Sequence, residues 1–139
     1  MCSSDLVAVR ASRPTAFTAL DGLGIVLFTV GFAFEVVGDY QLARFKADPA
    51  HRGEVLDRGL WRYTRHPNYF GDATLWWGLY AIAAATPGGW LTIPAPALMT
   101  FLLVRVSGVA LLEESLRLSK PGYRAYVART PAFFPWFPR

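Results

Sequence analysis

An all-α helical bundle embedded in a membrane is the fold class this sequence predicts, and three observations predict it. The 139 residues are 53% hydrophobic and only 17% charged, with a mean hydropathy of +0.28, well outside the soluble norm. Apolar stretches of about 20 residues, enough for a helix to cross a hydrocarbon core roughly 30 Å thick, alternate with more polar segments. The cations gather in two of those segments. About three transmembrane helices, one basic loop and a basic C-terminal tail follow from this pattern.

The opening segment, residues 1–16, has no continuous apolar core beside its charges, so it reads poorly as a secretory signal and is expected to be irregular and foreign to the fold. Residues 17–139 form the membrane-embedded portion. Cys2, the single cysteine, cannot form an internal disulfide, and no Cys/His spacing suggests a metal site. The first span runs from Phe17 to Val37, broken only by Thr18, Asp21, Thr29 and Glu35. A second runs from Tyr69 to Ala85 and a third from Trp90 to Leu112. Between them the uncharged ATPGGW, Ala85 to Trp90, predicts a tight turn and hence an antiparallel hairpin.

The segment from Gly38 to Asn68 carries Arg44, Lys46, Arg52, Arg58, Arg62 and Arg65, and the tail after Leu112 carries Arg117, Lys120, Arg124, Arg129 and Arg139. Three crossings put both on one face of the bilayer, which the positive-inside rule makes cytoplasmic, although Arg10 and Arg13 lie on the other side. A net charge of +4 spread in this way suits lipid headgroups or a phosphorylated ligand, and not nucleic acid. Trp90 and the Trp136-Phe137 pair stand where interfacial aromatics belong.

Asp21, Glu35, Asp72 and Arg105 fall within or at the edge of the spans, and an ionisable group there costs a few kcal/mol unless it faces a wet cavity or a partner. Asp21 and Arg105 read as interfacial or ion-paired side chains. Glu35 and Asp39 are four apart and share a helix face, which reaches Lys46 if the helix continues. Pro67 suits the first position of the second helix. Asn68, Asp72 and Trp76 then make one stripe of amide, carboxylate and indole, with Arg62, Arg65 and the helix N-terminus supplying positive potential at its mouth. Cations for phosphates, aromatics for stacking and acids for hydroxyls together fit an anionic, partly aromatic ligand. No Ser/His/Asp triad, phosphate loop or glycosidase-type carboxylate pair is present to suggest those chemistries.

GLWRYTRHPNYFGD (Gly59 to Asp72), preceded by DYQLARFKADP (Asp39 to Pro49) and followed by LEESLRLSKPGYRAYVARTPAFFPW (Leu112 to Trp136), resembles the C-terminal half of the bacterial DUF1295 membrane proteins. These are relatives of the steroid 5-alpha-reductases and the sterol C14 and C7 reductases. The resemblance covers about residues 20 to 139. It implies a helical protein of the bacterial inner membrane that binds NADPH on the cytoplasmic side and delivers hydride to a carbon-carbon double bond of a lipid-like, hydrophobic small molecule. Residue by residue, it implies an acidic cofactor ligand at Asp39 and phosphate ligands at Arg44 and Lys46, to which the expected mechanism adds Arg65. Asn68 is expected at the nicotinamide end, with His66 and Tyr69 beside it in the same signature. Further cofactor contacts fall on Glu113 and Tyr123. Asp72 stands where the family usually has Glu, between cofactor and substrate, with a side chain one methylene shorter. Relatives of this kind have additional spans before the segment at Phe17, so the chain is expected to be a fragment that keeps the cofactor half.

A rival reading is similarity to the isoprenylcysteine carboxyl methyltransferases, which share the RHPxY segment and a Glu-Glu pair but use S-adenosylmethionine. Asn68 before Tyr69 and the phosphate-seeking Lys46 favour the reductase; Glu113-Glu114 fits both. A third reading is a catalytically silent membrane fragment.

Overall fold

Thr18 begins the first helix. Its hydroxyl accepts from the Asp21 N–H at 3.3 Å while the Asp21 carboxylate accepts from the Thr18 N–H at 2.8 Å, a capping box that explains an acid at the edge of a span. The structure, a computed structural model describing residues 16–106 and 109–139, continues that helix, α1, over Ala19–Ala47. Its 29 residues extend roughly 44 Å at 1.5 Å each. Helix α1 therefore overshoots a core of roughly 30 Å, carrying the charged DYQLARFKA end ten residues past the expected limit at Val37. Asp48 stops it and caps a 3₁₀ turn, Pro49–His51, accepting from the Ala50 N–H at 2.9 Å. Cys2, Arg10, Arg13 and nearly all of the 1–16 segment lie outside the described residues.

Helix α2, Pro67–Ala84, starts on the expected proline and packs antiparallel along α1 through glycines that recur every seven residues. A Cβ added at Gly31 would lie 2.6 Å from the Gly71 carbonyl oxygen and 2.5 Å from the Leu75 nitrogen, and one at Gly71 would lie 2.5 Å from the Glu35 nitrogen. Gly24 meets Gly78 in the same way, and Gly38 faces Pro67 and Asn68. The two backbones touch, as small residues permit in membrane helix pairs.

After a turn in which Gly88 adopts φ +80°, the expected third span proves to be segmented. A 3₁₀ turn, Gly89–Thr92, leads to α3, Pro94–Phe101, then a π-helical stretch, Leu102–Val106, and α4, Val109–Ser119. Pro94 and Pro96 lack the N–H that a continuous helix would use at those positions, so the ladder restarts at Pro94. The segment still runs the length of α2. The Trp77 indole N–H donates to the Thr100 hydroxyl at 3.1 Å midway, and Glu113 of α4 reaches Arg65 beside the start of α2 at 2.8 Å. By length and composition, Ala19–Ala47 and Gly89–Val106 are each able to cross a membrane. All regular structure among the described residues is helical.

A last helix, α5, Tyr123–Arg129, and the irregular residues 130–139 fold back over the basic loop. The Thr64 hydroxyl donates to the Phe133 carbonyl at 2.9 Å, the Trp136 N–H to the Tyr63 carbonyl at 2.9 Å, and Arg129 pairs with Asp57. Loop and tail thus make one cap at one end of the bundle. The side chains that α1 turns outward (Leu23, Val26, Val30 and Phe32 among them) are exposed and apolar, as a lipid-facing surface requires.

Candidate functional site

The loop is fastened to the last turns of α1 before it delivers its chemistry. The Trp61 indole N–H donates to the Gly38 carbonyl at 3.1 Å, and the Gln41 amide oxygen accepts from the Leu60 N–H at 3.0 Å. Phe45, Leu56 and Trp61 form the small buried core beneath. On this base Arg65 and His66 converge on Glu113, which accepts from Arg65 Nε at 2.8 Å and from His66 Nε2 at 3.3 Å. Arg117 lies 3.6 Å away on the other oxygen. Burial pushes the Glu113 pKa up, but the hydrogen bonds and charges of His66 and Arg65 outweigh it and hold the carboxyl below the ordinary glutamate range. Arg65 also donates from Nη1 to the Val127 carbonyl at 3.1 Å and the Thr130 carbonyl at 2.6 Å. Its guanidinium is committed to holding α4 and the tail against α2.

Beside this cluster lies a cavity of about 140 Å³, bounded by Leu42, Lys46, Trp61, His66, Leu116 and Tyr123. Tyr123 and His66 are 2% and 1% exposed. The Tyr123 hydroxyl sits near the Arg65 guanidinium but completes no hydrogen bond, and His66 Nδ1 has no partner. Burial, reinforced by the Glu113 charge, pushes the Tyr123 pKa up to about 12, so its hydroxyl remains a neutral donor. Unpaired buried polar atoms carry a desolvation cost of about 1–3 kcal/mol each unless something occupies the space before them.

At the α1–α2 seam, Asn68 Nδ2 donates to Asp39 Oδ1 at 2.9 Å, and Asn68 Oδ1 is buried without a partner. Glu35 lies within electrostatic reach of both Asp72 and Asp39, and the Trp76 indole lies beside Asp72. Helical periodicity sets Glu35, Asp39, Leu42 and Lys46 along one side of α1. The acidic side chains of the seam therefore share one side of α1 with Leu42 and Lys46 of the cavity.

Of the residues singled out in the sequence, Asp39, Asn68 and Asp72 meet at the seam, while Lys46, Arg65, His66 and Tyr123 line the cavity, with Glu113 bonded to two of them. Tyr69 stacks on the His66 ring at 5.4 Å. Arg44 stands apart. Two residues from Lys46 on a helix of 3.6 residues per turn, it points roughly 200° away and lines a different cavity. Trp61 and Tyr126, which frame the cavity and are joined by a hydrogen bond from the Tyr126 hydroxyl to the Trp61 carbonyl, were not singled out, though both sit within the motifs. Among the described residues no His, Cys, Asp or Glu cluster is arranged to hold a metal ion.

The chain is similar to a protein of Schizosaccharomyces pombe (strain 972 / ATCC 24843) described as uncharacterized, with 26% identity over 153 aligned positions that cover 97% of this chain and 44% of the relative. It thus spans less than half the length of that protein. No solved structure matches. The family described as "Protein of unknown function (DUF1295)" matches over residues 1–130, and with that span covered the chain belongs to DUF1295, the steroid 5-alpha-reductase-like family its motifs resemble.

Proposed function

We propose that this chain forms the nucleotide-binding portion of a membrane reductase that uses NADPH to saturate a carbon-carbon double bond in a lipid-like substrate. The observation that carries the reading is the convergence of the Asp39–Asn68 pair, at 2.9 Å, with a cavity lined by Lys46 and by the unpartnered His66 Nδ1 and Tyr123 hydroxyl. These groups fit a dinucleotide. In the cavity Lys46 offers an ammonium to the 2′-phosphate of the adenosine end, with the Tyr123 hydroxyl as a further donor and His66 Nδ1 as an acceptor for a ribose hydroxyl, while at the seam Asp39 and Glu35 offer acceptors to ribose hydroxyls and the orphan Asn68 Oδ1 offers one to the nicotinamide carboxamide. At about 140 Å³ the cavity is smaller than a whole ligand pocket of roughly 300–1,000 Å³, so it takes one ring-sized end, and the remainder of the dinucleotide extends toward the Asp39–Asn68 pair.

The cofactor, when bound, supplies the hydride. The protein's own part is orientation and exclusion of water: the tail lies over the loop, the face of α1 turned away from α2 is apolar and exposed, and Asp72 lies one helical turn beyond Asn68, away from the loop. A hydrophobic substrate would arrive through the bilayer. In this reading the capped loop end is cytoplasmic and the host membrane is a bacterial inner membrane.

Titration calorimetry on the purified chain in detergent tests the proposal. NADPH should bind at least about tenfold more tightly than NADH, since one charge-assisted hydrogen bond to the 2′-phosphate is worth about 1.5–3 kcal/mol. Lys46→Ala should narrow that gap. Equal affinity for the two nucleotides would contradict the proposal, and tighter binding of S-adenosylmethionine would replace it with a methyltransferase.

A further inference from the structure

Arg44 does not share the Lys46 cavity, and the cavity it does line carries its own chemistry. We propose that this second cavity is a binding site for the phosphate of an anionic phospholipid headgroup, separate from the nucleotide site. It is open, about 410 Å³ in volume, with Arg44 and Arg58 on its walls over a surface formed by Tyr40, Phe45 and Leu56.

Both guanidiniums are held by aromatic rings and not by acids. Arg44 lies 5.8 Å from the Tyr40 ring centre and donates from Nη1 to the Tyr40 hydroxyl at 3.3 Å. Arg58 lies 5.5 Å from the Phe45 ring centre and donates from Nη2 to His51 Nε2 at 2.7 Å. That bond requires His51 Nε2 to be the unprotonated nitrogen, and Nδ1–H is then free to donate to Glu54 at 2.8 Å. The His51 ring is stacked on Phe45 at 4.6 Å, which fixes its plane. Among the described residues neither arginine forms an ion pair with a carboxylate. The one acid on the cavity wall, Asp48, already accepts from the Ala50 N–H at 2.9 Å and lies 3.8 Å from His51 Nε2. Two planar forks with free donors remain, a geometry suited to a phosphate.

Position selects the source of that phosphate. With the Thr18 capping box at one boundary, Arg44 stands roughly 37 Å along α1, past a hydrocarbon core of roughly 30 Å and within the headgroup layer that brings a bilayer to about 40–45 Å. Below it on the same face, at helical spacing, Tyr40, Val37, Val30 and Val26 are all exposed. This apolar track gives acyl chains a surface directly beneath the phosphate, which a soluble phosphate ester would leave unused.

Native mass spectrometry of the chain in mixed micelles of phosphatidylglycerol and phosphatidylcholine tests the assignment. One phosphatidylglycerol should be retained per chain in preference to phosphatidylcholine. Arg44→Gln and Arg58→Gln should each weaken retention and together reduce it at least tenfold, while Lys46→Gln, in the other cavity, should leave it unchanged. Arg44 and Arg58 are exposed, so their removal should leave the melting temperature in phosphatidylcholine unaltered, which serves as the folding control. Arg58→Lys should restore retention in part. Displacement by millimolar inorganic phosphate, with no dependence on acyl chains, would keep the anion site but overturn the lipid as its occupant. Equal retention by wild type and the double variant, or of the two lipids, would overturn the site itself.

Discussion

Glu113 is the residue on which the buried end of the site depends. It neutralises Arg65 in a place where both side chains are nearly inaccessible, and it orients His66. Removing one member of a buried pair leaves the other charge uncompensated, which typically costs about 3–5 kcal/mol. Glu113→Gln is expected to lower the melting temperature sharply, and more than Glu114→Gln on the exposed face of the same helix; equal effects would show that the pair contributes little. The pH dependence has a definite sign. Because the folded state holds the Glu113 carboxyl below its ordinary range, its contribution is fully present above about pH 4.3 and is lost as pH falls through the lower folded value. A thermal-denaturation series across acid pH should show that slope shrink in Glu113→Gln. Sequence spacing could not expose this role, since Arg65 and Glu113 are 48 positions apart and the cation looked free to meet a phosphate. What was legible was the grouping of residues; the local division of labour depended on which donors the fold consumes.

Helices α1 and α2 are held by backbone contact, and this belongs to the element and not to any one side chain. Gly31→Ala places a methyl group 2.5–2.6 Å from backbone atoms of α2, so the helices must separate; overpacking of this kind costs about 1–3 kcal/mol. Gly22→Ala, where the nearest atom is 3.7 Å away, should be neutral or raise stability by up to about 1 kcal/mol through helix propensity. Melting both variants in the same detergent compares them directly, and similar destabilisation would remove the claim of glycine-mediated packing. The heptad spacing of Gly24, Gly31 and Gly38 was visible in the sequence, but only the antiparallel register against Gly71 and Gly78 gives it meaning. Pro67 marked a helix start because its effect is local. The interruption of the third span was missed because hydropathy does not register prolines or a π-helical turn.

The described residues form a helix pair, a segmented returning helix and a cap in which loop and tail are tied together. That cap predicts topology: in a Cys2→Ser background, single cysteines at Arg52 and Arg124 should label from the same side of sealed vesicles, and labelling from opposite sides would break the arrangement. It also assembles the cavity from α1, the loop, α4 and α5, and in the proposed function that cavity is a ligand site and not a packing defect. Tyr123→Phe tests it most directly, because the hydroxyl has no completed hydrogen bond in the protein. The variant's melting temperature without nucleotide should equal or exceed that of wild type, and its stabilisation by NADPH should be clearly smaller. A Tyr123→Phe variant that is destabilised on its own yet stabilised by NADPH as much as wild type would contradict it.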